Sequence, residues 1–136
     1  MRKICELGHL DIVNLYIEHG GEIVDETDWD EGLKGACIGD HLEIAKIMIE
    51  KGQKYWLDSG FKSACKYGRS KIVNVVLSSY QLCNRILGDG MFYACSRNHS
   101  DVTKLIALEI LRCKDIEQTG RFNFCAHCGK SVAEHI

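Results

Sequence analysis

The sequence predicts an all-α chain, a solenoid of about four helix-pair repeats closed by a C-terminal capping tail, and two observations carry that expectation. The first is spacing. Cys5, Cys37, Cys65 and Cys95 are separated by 32, 28 and 30 residues, and seven positions after each stands Ile12, Ile44, Ile72 or Val102. Ala36, Ala64 and Ala94 precede the last three cysteines, and Leu33, Phe61 and Met91 lie four positions before them. Units of this length cannot bury their apolar faces alone, so they stack. The second is periodicity within a unit. Leu33, Ala36 and Cys37, followed by Ile44, Ile47 and Met48, recur at helical rather than strand spacing.

Taken in order, the repeats are expected at about 1–28, 29–55, 56–85 and 86–113, with the tail at 114–136. Each should hold two short helices broken just after the cysteine, at Gly8-His9, Asp40-His41, Gly68-Arg69 and Asn98-His99. Glycine, asparagine and aspartate tolerate the left-handed backbone that ends a helix. Asp11, Glu43 and Asp101 then place an acid in the first turn of the second helix, where it complements the helix dipole; Lys71 is the exception. Ser70 and Ser100 are expected to cap that helix, and Gly20 and Gly52 to close it in the first two copies. The first helices should open near Glu31-Gly32, Ser59-Gly60 and Asp89-Gly90, with Ser59 and Asp89 as caps. Trp29 and Trp56, just before these openings, read as loop anchors packing between layers.

The run from Gly35 to Gly52, GACIGDHLEIAKIMIEKG, carries two small residues, a turn with histidine, an acid, an isoleucine-rich stretch and a closing glycine. It resembles the ankyrin repeat, and the likeness extends over about residues 1 to 112. The family's Thr-Pro-Leu-His opening is absent, the chain has no proline, and Gly32, Gly60 and Gly90 stand where that proline would be. Short repeats with Trp-x-x-Gly-Leu openings, as at Trp29 to Leu33, are similar to divergent ankyrin arrays of large DNA viruses. That resemblance implies a rigid array that binds a protein partner on the inner surface of its first helices and preceding loops. Carried onto this chain, the surface includes Lys34, Ile38, Lys62, Lys66, Tyr67, Phe92, Ser96 and Arg97, bordered by Asp28, Asp30, Tyr55 and Trp56. Aromatic and arginine side chains are the expected anchors, with lysines steering an acidic partner. Within the same resemblance His9, His41 and His99 are turn residues that bond nearby backbone, not catalysts.

Composition narrows the function classes. With 46% hydrophobic and 26% charged residues the chain is globular in character, and its net charge of −2 gives no broad field for nucleic acid. No apolar window reaches the roughly 18 residues of a membrane span, and the start lacks a signal peptide's apolar stretch. A cytoplasmic setting is expected, the host cytoplasm if the origin is viral. There the eight cysteines should stay reduced or bind metal. The four repeat cysteines read as core thiols, because equivalent positions in stacked layers lie about 8–10 Å apart and a disulfide needs about 7 Å or less. No Ser-His-Asp, paired-carboxylate or phosphate-loop pattern occurs in a usable context, so the chain is expected not to be an enzyme.

Both ends depart from the pattern. Only about one helical turn precedes Cys5, so the first layer should expose apolar surface, by which two chains could pair as a homodimer. The last helix, from Val102 to about Cys113, is rich in leucine and isoleucine and needs a cover, which Phe122, Phe124 and Val132 of the tail could supply. In that tail Cys125 and Cys128 form a C-x-x-C followed by Gly129, the spacing of half a zinc knuckle. His135 is the natural third ligand and Cys113 the best fourth, ahead of His127 and Cys83; such an ion would be a structural zinc. The same tetrad with Ala126 and His127 also resembles a thiol-redox centre, without the strand-to-helix setting that chemistry uses.

Overall fold

A computed structural model of the chain describes residues 1–19, 26–52, 58–112 and 134. Among them are eight helices and no strand: α1 Arg2–Glu6, α2 Leu10–Glu18, α3 Glu26–Gly39, α4 Leu42–Lys51, α5 Asp58–Lys66, α6 Ser70–Ser79, α7 Asn84–Ser96 and α8 Ser100–Arg112. They alternate as the repeat demands, a first and a second helix in each copy. The chain divides into two units, Met1–Ala64 and Cys65–Ile136, with the boundary inside α5.

Every break between paired helices falls at the expected place. Gly8, Asp40, Gly68 and Asn98 have φ of 77°, 62°, 68° and 59°, the left-handed region. The next residue starts the following helix without a side-chain cap: His9, His41 and Arg69 hold the N-cap positions of α2, α4 and α6 with no cap hydrogen bond. Ser70 and Ser100 are therefore first helical residues rather than caps. The three later first helices all begin earlier than expected, α3 at Glu26 rather than near Glu31. Asp89 lies well inside α7, whose N-cap is Cys83, and Ser59 is the second residue of α5. Trp29 likewise sits in α3, not in a loop. Gly52 closes α4 with extended backbone, φ −71° and ψ 152°, so glycine's left-handed freedom is unused there.

In the first unit α1 lies on α3 and α2 on α4, and α1 meets α2 as α3 meets α4. The core is the repeated positions themselves: Cys5, Val13, Leu33, Ala36, Cys37, Ala45, Met48 and Phe61 are fully buried. A buried leucine or phenylalanine contributes about 1.5–3 kcal/mol, so these few positions dominate the unit's stability. Glycine permits the close approach. A Cβ on Gly35 or Gly39 would collide with the carbonyl oxygens of Arg2 and Glu6, so α3 lies with its backbone directly against α1. In the second unit α8 packs on both α6 and α7, and Ile72, Val73, Val76, Leu87, Met91, Ala94, Val102 and Ile106 are buried.

The repeat cysteines are thiols, as are the other described ones, with no disulfide among them. Burial pushes the Cys5 thiol up to about 11, slightly offset by the N-terminal charge. It is therefore protonated and unreactive at neutral pH. Of the other repeat cysteines Cys37 and Cys65 are buried and Cys95 is partly open, while Cys83, outside the repeat pattern, is exposed.

Candidate interaction surface

Histidine fixes where the turns sit. The His41 Nε2–H donates to the Glu6 carbonyl at 3.1 Å, and the His99 Nε2–H donates to the Lys66 carbonyl at 3.0 Å. Each ring also lies over a glycine of the preceding copy, His41 on Gly8 and His99 on Gly68, where any Cβ would come within about 2.5 Å of ring atoms. Both rings thus satisfy the otherwise orphaned carbonyls at the end of a first helix. The turns beside the expected surface are tied down in both units.

In the first unit that surface comprises Lys34 and Ile38 on α3 and Lys62 on α5, all half-buried. The Lys34 ammonium is already engaged: it bonds Glu31 and lies 3.5 Å from Asp30. Asp30, expected to border the surface, is buried and accepts the Gly60 N–H at 2.7 Å together with the Ser59 hydroxyl. Its carboxylate satisfies the first turn of α5 from a different helix.

The hydrogen bond from Lys34 holds the Glu31 carboxyl below its ordinary range; burial opposes this, and the Lys34 and Arg2 charges add to it. For Lys34, burial alone would lower the ammonium's pKa, but the Glu31 bond and the charges of Asp30 and Glu31 outweigh it and the net shift is upward. A lowered acid stabilises the fold above its unfolded pKa of 4.5 and loses that contribution as pH falls through its folded value. A raised lysine stabilises below 10.5 and loses the contribution as pH climbs through its folded value. With Glu31 more than a third exposed, Glu31→Gln is expected to cost about 0.5 kcal/mol at pH 7 and progressively less as the pH falls through the carboxyl's lowered folded value, read by urea unfolding along an acid pH series.

In the second unit Lys66 ends α5 and Tyr67 follows it, and the Lys66 ammonium sits 5.7 Å from the Tyr67 ring centroid, a cation–π distance. Phe92, Ser96 and Arg97 are exposed on α7 and the turn after it. Phe92, 41% exposed, meets Tyr93 edge to face at 5.7 Å between centroids, while the Ser96 hydroxyl donates to the Tyr93 carbonyl. Tyr93 was not foreseen in the sequence. Its register counterparts Gly35 and Ser63 are small, and only their size difference marks it.

No protein-family model matches the chain, and neither does any curated protein or solved structure.

The candidate metal ligands Cys113, Cys125, Cys128 and His135 lie outside the described residues, as do His127, Tyr55 and Trp56. Among the described residues no group of three His, Cys, Asp or Glu side chains is placed to hold a metal ion. None of the described helices is long and apolar enough to cross a membrane.

Proposed function

We propose that the chain is a non-catalytic protein–protein interaction module, an ankyrin-type repeat array whose partner binds the exposed first-helix surface. One observation carries the reading: an exposed aromatic pair, Phe92 and Tyr93, stands on a helix whose opposite side is buried through Leu87, Met91 and Ala94. A rigid helix presenting aromatic area loses little conformational freedom on binding, which is why such side chains anchor interfaces. Arg97, one turn on and exposed, supplies a cation beside them. The partner is a protein surface with an apolar pocket and an acidic rim.

The experiment is site-specific photo-crosslinking in a lysate, with the probe at position 92 and, as a control, at the exposed Asn74 of α6. A discrete crosslinked protein is expected from position 92 alone. Its dissociation constant for the purified chain should weaken about 10- to 100-fold in Phe92→Ala and further in Phe92→Ala with Arg97→Ala. Equal crosslinking from both positions, or unchanged affinity in the double variant, sinks the reading.

A further inference from the structure

The net charge of −2 conceals an uneven distribution. Residues 1–64, the first unit, carry thirteen acids against seven lysines and arginines, whereas residues 65–136 carry six acids against ten. The excess of base is sharpest in the third copy. No Asp or Glu stands between Asp58 and Asp89, a span that holds Lys62, Lys66, Arg69, Lys71 and Arg85. Three of these, Lys66, Arg69 and Lys71, lie on the six residues that turn from α5 into α6, Lys71 exposed and the other two half-buried. At the same registers the first copy reads Glu6, His9 and Asp11.

The fold does not ask for this reversal of charge. The first turns of α2, α4 and α8 carry Asp11, Glu43 and Asp101, which complement the positive end of a helix, and the first turn of α6 has no acid. Lys71 instead adds charge of the same sign as the helix end. The turn that displays it is nevertheless fixed: Gly68 takes φ 68°, the His99 Nε2–H holds the Lys66 carbonyl at 3.0 Å, and the Lys66 ammonium rests 5.7 Å from the Tyr67 ring centroid. Cations on a rigid turn lose little freedom when an anion meets them.

We infer that this turn binds an acidic polypeptide segment, with carboxylates of the segment set against Lys66, Arg69 and Lys71. Charge complementarity names the class of ligand, and the width of the patch chooses within it. The patch is one copy wide. In the next copy of the same unit the exposed Asp101 holds the register of Lys71, so a nucleic-acid backbone, charged at every residue, meets a negative side chain as it runs on. A polypeptide avoids that conflict by placing carboxylates at the turn and neutral residues beside Asp101. This contact is separate from Phe92 and Tyr93 and stands whether or not their surface is occupied.

Fluorescence anisotropy of the full chain with a dye-labelled peptide alternating glutamate and serine tests this, with oligothymidine of the same length as the competing polyanion. The peptide is expected to bind at low salt and to weaken about tenfold when the salt is raised to about 0.3 M. Lys71→Glu should weaken it about tenfold as well, and Lys66→Glu with Lys71→Glu about 100-fold. Lys104→Glu makes the same change of net charge at an exposed position of α8 and should leave the affinity within about twofold, as should Phe92→Ala. Urea unfolding separates binding from folding. Lys71→Glu places an acid in the first turn of α6, so its midpoint should rise while its binding falls. Absence of peptide binding at low salt overturns the inference, as do equal losses in Lys104→Glu and Lys71→Glu, tighter binding of the oligothymidine, or a lowered midpoint in Lys71→Glu. Loss of peptide binding in Phe92→Ala overturns it too and assigns the acidic segment to the aromatic surface of α7.

Discussion

Gly35→Ala is expected to destabilise the chain by about 2–4 kcal/mol, although the same change on an exposed helix would stabilise by roughly 1 kcal/mol. The sign reverses because the added methyl has no room. It would collide with the Arg2 carbonyl oxygen, with the Arg2 carbonyl carbon at 3.0 Å and the Glu6 nitrogen at 3.1 Å, all backbone atoms that no rotamer change can move. The layer must part instead. Once α1 lifts from α3, Leu33 and Cys37, both fully buried, face water, and so does Cys5 on α1 itself. Urea unfolding gives the total loss. Hydrogen exchange locates it, with protection falling first in α1 and α2 and least in α7 and α8. A Gly35→Ala chain as stable as the original would mean that α1 is not held against α3 as described.

The architecture was legible because the signals that carry it are local. Gly8, Asp40, Gly68 and Asn98 are residue types that accept positive φ, and each sits at a fixed offset from its cysteine. The start of a first helix has no comparable local mark. α3 and α7 run back to Glu26 and Asn84, past Glu31 and Asp89, which a capping rule reads as entrances, and Ser59 near the start of α5 donates its hydroxyl to Asp30 of α3. One long-range pairing could have been read. Gly8 precedes His41 by one copy and Gly68 precedes His99, and these are the pairs in which a ring lies over glycine. Where the turn residue is Asp40, the next copy carries Arg69 instead of histidine. The expected surface was legible only in part. Register placed Phe92 and Arg97 in the open, but it could not show that Lys34 is drawn onto Asp30 and Glu31, since ion-pair choice depends on which of several nearby carboxylates the fold brings closest.

Asp30→Ala is the second large effect, expected at about 3 kcal/mol. The carboxylate is 8% exposed and does three things at once: it accepts the Gly60 N–H at 2.7 Å, accepts the Ser59 hydroxyl, and pairs with Lys34 at 3.5 Å. Losing a cap costs about 1–2 kcal/mol, and hydrogen bonds to a charged group contribute about 1.5–3 kcal/mol each, with the coupling between them making the sum less than additive. The bonds are not equal. Ser59 sits in the first turn of α5, half-buried, and its hydroxyl can turn to another acceptor or to water, so Ser59→Ala should cost under about 1 kcal/mol. Asp30→Asn keeps an oxygen for the Gly60 N–H but brings an amide donor towards Lys34, and should fall between the two. The order Asp30→Ala, Asp30→Asn, Ser59→Ala in decreasing cost, measured by chemical unfolding, is therefore the diagnostic. If Ser59→Ala costs as much as Asp30→Ala, the buried carboxylate is not what secures the start of α5. The same variants bear on recognition. With Asp30 gone, Lys34 keeps only its bond to the more exposed Glu31, and its ammonium gains freedom to meet an acidic partner. A chain that loses stability yet associates faster with such a partner at low salt would tie the structural carboxylate to the steering lysine beside it.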